Sequence, residues 1–304
     1  MSQSPSLFSV HLRLLGMAVL WGASWPWGRM VAQVVPPITA SAIRFLIAGI
    51  ALLIWLFFAD HFRLARTLSG KQWLGLLATG ATGIFAYSIC FLTALQWLPS
   101  GKASAVIALN PAATLILAAL LFKEPLNKTI ILGIALAIFG SLFAISQGHP
   151  LGFLSGAVGT GEYLLLGCVS AWVAYTLLGR KLLVGIDALT ATTFATVFGA
   201  VLLLITGFFV EGQQAWSTAY HAPHSVHWAI VLMALGSTTL AYSWFFSGVQ
   251  ALGAGNAAAY IALVPVFGIG ISAVFLNEAL HSSLMIGAPL AIIGMIIMHR
   301  GQHR

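Results

Sequence analysis

Apolar runs of membrane length fill this chain, separated by short polar breaks, and the same layout is written twice. The runs cover about 12–32, 38–58, 73–97, 102–122, 129–147, 162–181, 188–210, 227–250, 255–276 and 283–299. Each is long enough to cross a hydrocarbon core as a helix. Lipid offers no hydrogen bonds to a backbone, so a spanning segment is a helix or part of a closed barrel. Barrel strands alternate polar and apolar residues, whereas these runs are continuous, so the spacing predicts helices.

The duplication is carried by residues other than the apolar background. Pro111, Glu124, Gly133 and Gly140 recur at one offset as Pro265, Glu278, Gly287 and Gly294. Gly16, Trp21, Gly28 and Arg29 match Gly167, Trp172, Gly179 and Arg180 at a nearly equal offset. Ala86-Tyr87-Ser88 returns as Ala241-Tyr242-Ser243, and Gln96 as Gln250. Each copy holds five spans, and an odd number reverses the direction of crossing. The fold class predicted is therefore all-α integral membrane: ten transmembrane helices as two inverted five-helix repeats, 1–150 and 151–304, around a central cavity. Inverted repeats are a hallmark of one class of secondary transporters.

Composition supports lipid as the solvent. Charged residues make up 6% of the chain and hydrophobic residues 60%, with mean hydropathy +0.99. A soluble domain carries roughly 25% charged residues. The net charge of +7 does not mark a nucleic-acid face. With the N-terminus inside, Arg13, Arg63, Arg66, Lys71, Lys123, Lys128, Arg180, Lys181, Arg300 and Arg304 all lie on one side. Only Arg29 and Lys102 fall outside, and Arg44 lies within the second span. That bias predicts a bacterial inner-membrane protein with both termini cytoplasmic. The first apolar run has no small-residue cleavage site after it and reads as a retained helix. Cys90 and Cys168 fall inside spans and read as small packing residues.

Polar and aromatic residues enter the spans unevenly. Trp21, Ser24 and Trp25 lie in span one, Tyr87 and Ser88 in span three, and Asn110 in span four. Span six holds Ser170, Trp172 and Tyr175, span eight Tyr242 and Ser243, and span nine Tyr260. A polar group facing lipid costs free energy, so these residues face a cavity or one another. As a set they predict an aromatic-lined, substrate-binding chamber; tight packing with satisfied hydroxyls is the alternative for any one of them.

Pro111 and Pro265, at matching depth, each remove a backbone hydrogen bond and leave a carbonyl four residues earlier, at Ile107 and Ile261. Pro26 does the same at Gly22. These prolines are candidate helix breaks or hinges, or else simple packing kinks. The Gly133/Gly140 and Gly287/Gly294 pairs give spans five and ten smooth stripes, suited to each other or to a second subunit, so the chain is a monomer or a homodimer. Arg44 is a candidate charge partner for a substrate carboxylate, or it snorkels or caps carbonyls. Glu124 and Glu278 sit at span ends and read as helix-end anchors. No acid and no histidine lies near a midplane, so facilitated export is expected rather than proton coupling.

These residues resemble the EamA family of the drug/metabolite transporter superfamily. The resemblance rests on Arg44-Phe45-Leu46, Asn110-Pro111, Glu124 and the Gly133/Gly140 pair, with Pro265, Glu278, Gly287 and Gly294 in the second copy. The second copy lacks the Asn and the span-two Arg. The stretch Trp21-Gly22-Ala23-Ser24-Trp25-Pro26 is similar to the aromatic amino-acid exporter branch. The resemblance implies ten helices, a central substrate cavity and export of amino acids or other metabolites.

The function expected is export of neutral amino acids, aromatic ones among them, or related small metabolites by alternating access, with no metal and no cofactor. A multidrug or metabolite efflux carrier with proton coupling is the alternative. An intramembrane enzyme fits poorly: there is no HExxH, no GxSxG, and no His or Asp near the middle of a span to activate Ser24, Ser88 or Ser243.

Overall fold

The computed structural model describes residues 7–59, 65, 67–123, 125–151 and 159–302, with backbone only at 254, 255 and 258. Among these residues every element is helical. Nine helices are long and apolar enough to cross a membrane: α1 (Leu7–Ala32), α2 (Pro37–Phe58), α3 (Gly70–Trp97), α4 (Ser100–Phe122), α5 (Lys128–Ile145), α6 (Thr160–Leu182), α7 (Ala188–Tyr220), α8 (His224–Leu252) and α10 (Ser282–Gln302). Between the last two lies α9, built from Ala254–Ala259, Tyr260–Leu263 and Val264–Phe275. Large apolar side chains cover the exterior, with Phe58 and Phe209 each 80% exposed and Phe275 75%. Water would not tolerate so many apolar rings on one surface, and lipid does.

Local chemistry sets the helix ends. Ser69 and Gln72 form a reciprocal capping box at the start of α3. Asn127 caps α5 through the Ile130 N–H, and Asp187 caps α7 through the Thr190 N–H. Gly253, at φ 87°, makes the turn from α8 into α9 that an L side chain would strain. One boundary differs from expectation. The segment from Glu211, expected as loop to 226, turns at Gly212 (φ 71°) and resumes as helix through Tyr220, because Gly212-Gln-Gln-Ala-Trp-Ser-Thr-Ala-Tyr has no proline and buries Ala215 and Ala219 on one side.

Irregular turns recur at equivalent places in the two halves. Wide π-helical stretches occupy Gly80–Ala86 in α3 and Leu232–Leu240 in α8. Tight 3₁₀ turns occupy Ala105–Ala108 in α4 and Tyr260–Leu263 in α9, just before Pro111 and Pro265. The 3₁₀ turn gives the Ile261 carbonyl a new donor, the Val264 N–H, so that carbonyl is not left open as expected. In the α8 stretch, Thr238 and Thr239 hydroxyls donate to the carbonyls five residues earlier, at Met233 and Ala234.

The chain forms two compact units, each drawn from both halves of the sequence. The first comprises Met1–Pro26, Pro99–Gly159 and Leu240–Arg304, and the second Trp27–Leu98 and Thr160–Thr239. α1 passes from one unit to the other at Pro26, where the helix runs on without a break. α8 passes at the end of its π-helical stretch.

In the first unit α5 and α10 pack backbone to backbone. A Cβ at Gly140 would lie 2.5 Å from the Ala291 nitrogen, and one at Gly133 would lie 2.6 Å from the Met298 nitrogen. The glycine stripes of spans five and ten therefore serve each other. A core of Ala108, Ala112, Ile134, Ala137, Ala291 and Met295 fills the space beside them. In the second unit α3 crosses α7 closely, since a Cβ at Gly80 would meet the Ala195 carbonyl at 2.6 Å. Ala42, Phe45, Ile84, Ala200 and Leu203 form that unit's core.

Candidate functional site

Each unit carries an aromatic cluster, and the predicted residues divide between them. In the first unit Trp21 on α1 meets Tyr242 edge-on, with centroids 5.3 Å apart, and Phe245 at 5.6 Å. Phe246 continues the group from Tyr242 at 6.0 Å. Tyr260 on α9 packs on the same apolar core as Trp21, formed by Val10, Leu14, Met17, Ala241 and Ala257. The helices approach because Gly16 has no side chain; a Cβ there would strike the Trp244 ring.

In the second unit Tyr87 on α3 lies 6.0 Å from Trp172 on α6 and stacks on Phe91 at the same distance. Trp172 in turn meets Tyr175 at 5.6 Å. Phe91 is buried, but Trp21, Tyr242 and Phe245 in one cluster and Tyr87, Trp172 and Tyr175 in the other are half-buried, so each cluster keeps ring surface for another molecule. The repeat pairs the two clusters: Trp21 corresponds to Trp172, and Tyr87 to Tyr242.

The smaller polar residues fare differently. Ser24 Oγ donates to the Trp21 carbonyl at 2.6 Å, so its hydroxyl is used within α1. Ser88 is 1% exposed and its Oγ has no hydrogen-bond partner among the described residues. Asn110 is 7% exposed, and its Oδ1 likewise lacks one. A buried oxygen in that state costs about 1–3 kcal/mol and asks for a donor. Ser243 is half-buried. Trp25 is 1% exposed and offers no surface to a ligand, so in this structure it is a packed core ring.

The charged candidates hold helices together. Arg44 Nη2 donates to Thr238 Oγ1 at 3.2 Å, and its guanidinium lies 4.7 Å from the Phe45 ring centroid. It thereby ties α2 to the π-helical stretch of α8 within the second unit. Glu278 accepts from the Ser100 N–H, the Ser100 hydroxyl and the Gly101 N–H, all at 2.8 Å. It thus caps the start of α4. Asn277, in the left-handed region at φ 51°, turns the chain so that Glu278 reaches back. Glu124 lies outside the described residues.

Three groups escaped the reading of the sequence. Glu211 accepts from the Ile38 and Thr39 N–H groups and caps α2 as Glu278 caps α4, although it lies between two apolar runs with no cap motif beside it. Arg29 Nη1 donates to the carbonyls of Leu95 and Leu98 and closes the end of α3. His11 Nδ1 lies 2.6 Å from Tyr260 Oη. In the sequence it is a lone histidine just before the first apolar run, which the structure takes into α1. Among the described residues no three His, Cys, Asp or Glu side chains come together to hold a metal ion. The two cysteines are free thiols.

Comparison with known proteins adds the family context. The EamA-like transporter family matches residues 9–146 and again 159–300. An uncharacterized transporter of Bacillus subtilis, YyaM, is 27% identical over 288 residues, covering 95% of this chain and 92% of its own. A second from the same organism, YetK, is 29% identical, covering 94% of this chain and 86% of its own. A probable amino-acid metabolite efflux pump of Escherichia coli is 25% identical, with 92% and 91% covered. A solved crystal structure superposes with TM-score 0.65 at 19% identity, covering 97% of this chain and 99% of that one, which shows a shared fold.

Proposed function

We propose, from the premise that this chain belongs to the EamA-like transporter family, that it exports neutral amino acids, aromatic ones among them, or closely related metabolites by alternating access. The observation that carries the substrate class is the pair of aromatic clusters, Trp21–Tyr242–Phe245 and Tyr87–Trp172–Tyr175, neither of which contains a carboxylate. Ring faces take an apolar side chain and attract an ammonium group, with each cation–ring contact worth roughly 0.5–2 kcal/mol. The buried Asn110 Oδ1 supplies an acceptor for an amino group. A relative named as an amino-acid metabolite efflux pump supports the same class.

The inverted arrangement, residues 1–150 against 151–304, follows from five spans per copy and gives such a carrier two equivalent ends. Pro26 in α1 and the π-helical stretch in α8, where the chain leaves one compact unit for the other, are its hinges in this reading. The aromatic amino-acid exporter branch, the inner membrane and cytoplasmic termini belong to the same proposal. Because α5 and α10 use their glycine stripes on each other, a monomer suffices as the transporting unit. The clusters carry no acid to take up a proton, so transport is facilitated.

Purified protein in liposomes tests this. Counterflow of radiolabelled phenylalanine, with the twenty amino acids as competitors, is expected to saturate and to be competed best by neutral amino acids. Strong stimulation by an imposed pH gradient overturns facilitated transport in favour of proton-coupled efflux. The absence of any amino-acid exchange overturns the substrate class.

A further inference from the structure

We propose that His11 is a positioning residue for Tyr260: its protonation state decides whether the Tyr260 hydroxyl is offered to substrate as a donor or as an acceptor. The inference rests on the reading of Tyr260 as a substrate contact and adds the group that controls it.

The two side chains come from helices far apart in sequence. Their heavy atoms, His11 Nδ1 and Tyr260 Oη, stand 2.6 Å apart, a short hydrogen bond. The rings are tilted at 35°, with centroids 6.1 Å apart, so the contact is made edge to tip rather than by stacking. The surrounding packing holds both helices in this register. Val10, Leu14 and Met17 on α1 and Ala257 on α9 are fully buried in the core on which Tyr260 packs, with Trp244, Val249 and Leu252 of α8 against them, while His11 itself is exposed and open to solvent protons.

The chemistry follows from the inventory of each group. A neutral imidazole with its proton on Nε2 accepts at Nδ1, so Tyr260 spends its proton on His11 and presents lone pairs. A protonated imidazole donates at Nδ1, and the charge strengthens the bond. Tyr260 then accepts from His11, and its own proton turns to another acceptor, such as a substrate carboxylate. Histidine is the side chain whose ordinary titration spans roughly pH 5–8. Among the described residues of the helix stretches packed on this core, no second histidine or acid competes for that role. Between Ala241 and Phe275, the stretch of α8 and α9 packed against this part of α1, the titratable side chains are Tyr242 and Tyr260 alone. On α1 itself Arg13 lies two residues on and is exposed. No proton need cross the membrane for this control, so it is compatible with facilitated transport.

The test reads Tyr260 directly and then reads exchange. Full-length protein labelled with ¹³C at the tyrosine ζ carbon gives resonances from six tyrosines, and Tyr260→Phe identifies one by its loss. The Tyr260 resonance is expected to move between pH 5.5 and 8, and to stand still in His11→Asn, whose amide oxygen occupies the place of Nδ1 without titrating. In liposomes with equal pH on both sides, phenylalanine exchange is expected to change about three- to tenfold over that range, the effect of one hydrogen bond gained or lost. His11→Asn and Tyr260→Phe both flatten that profile. A Tyr260 resonance indifferent to pH, or one that moves equally in His11→Asn, overturns the proposal. So does an unchanged exchange profile in His11→Asn. A resonance that responds as expected, in protein that exchanges no amino acid, upholds the pairing and overturns the amino-acid reading instead.

Discussion

Glu211 Oε2 accepts two hydrogen bonds from Thr39, one from its N–H and one from its hydroxyl, each at 2.7 Å. Oε1 takes the neighbouring Ile38 N–H at 2.9 Å. The reason lies in the sequence of α2, which starts Pro36-Pro37 and has no capping side chain of its own. α4 starts after Pro99 with the same deficiency and receives Glu278. A carboxylate delivered from elsewhere in the fold satisfies the open N–H groups and meets the positive end of the helix dipole.

Removing either cap is therefore a stability experiment. Glu211→Ala and Glu278→Ala are each expected to cost about 1–2 kcal/mol, and the Gln variants less, since an amide oxygen keeps part of the bonding. The two caps share no partner, so the double variant adds the single effects. Thermal unfolding in detergent, followed by tryptophan fluorescence, measures this. An unmoved midpoint in Glu211→Ala counts against the cap.

The α5–α10 contact makes a sharper prediction. Gly140→Ala and Gly287→Ala put a methyl group 2.5 Å from backbone, at the Ala291 nitrogen and the Gly140 carbonyl respectively. The helices must part, at an expected cost of about 1–3 kcal/mol each. Gly270→Ala is the comparison, because nothing stands within 4 Å of its added carbon. It is expected to hold or raise stability by about 0.5–1 kcal/mol through better helix propensity. Equal behaviour of all three variants would contradict the close packing.

The aromatic rings separate binding from folding. Tyr87→Ala and Trp172→Ala are expected to raise the half-saturating substrate concentration about three- to thirtyfold while protein accumulates in the membrane as before. Trp25→Ala, at a ring 1% exposed, is expected instead to cost about 3–5 kcal/mol of stability and to reduce accumulation. Export assays paired with immunoblots of membrane fractions distinguish these outcomes. Normal transport by both Tyr87→Ala and Trp172→Ala would remove the second cluster from the site.

Arg29 closes the last turn of α3 through the Leu95 and Leu98 carbonyls, helped by Gln33 on Leu95 and Gln96. Arg29→Met keeps the aliphatic stem and removes the donors. Hydrogen bonds from a charged donor are worth about 1.5–3 kcal/mol each, and part is regained from water, so a net loss of about 1–3 kcal/mol is expected. Faster hydrogen exchange at the end of α3 in this variant would locate the effect.

Spans and repeats were legible in the sequence because they are one-dimensional. A helix across lipid satisfies its own backbone, so a run of apolar residues suffices to specify it, and paired Pro, Glu and Gly expose a duplication without coordinates. The aromatic positions Trp21, Tyr87, Trp172 and Tyr242 were legible for the same reason: rings stand out in apolar spans and recur between the copies. Contacts between distant segments were not. Whether Trp25 faces a ligand or the core depends on which face of α1 is covered. Whether the Ile261 carbonyl stays open depends on the local tightening of α9 into a 3₁₀ turn. Pairings such as His11 with Tyr260, or Glu211 with Thr39, join residues more than 170 positions apart. The amino-acid order determined a helical membrane protein with two copies of one plan. Only tertiary packing decided which polar groups are spent on holding helix ends and which rings keep open surface, because a hydrogen bond or a buried ring is a relation between two segments and is written in neither alone.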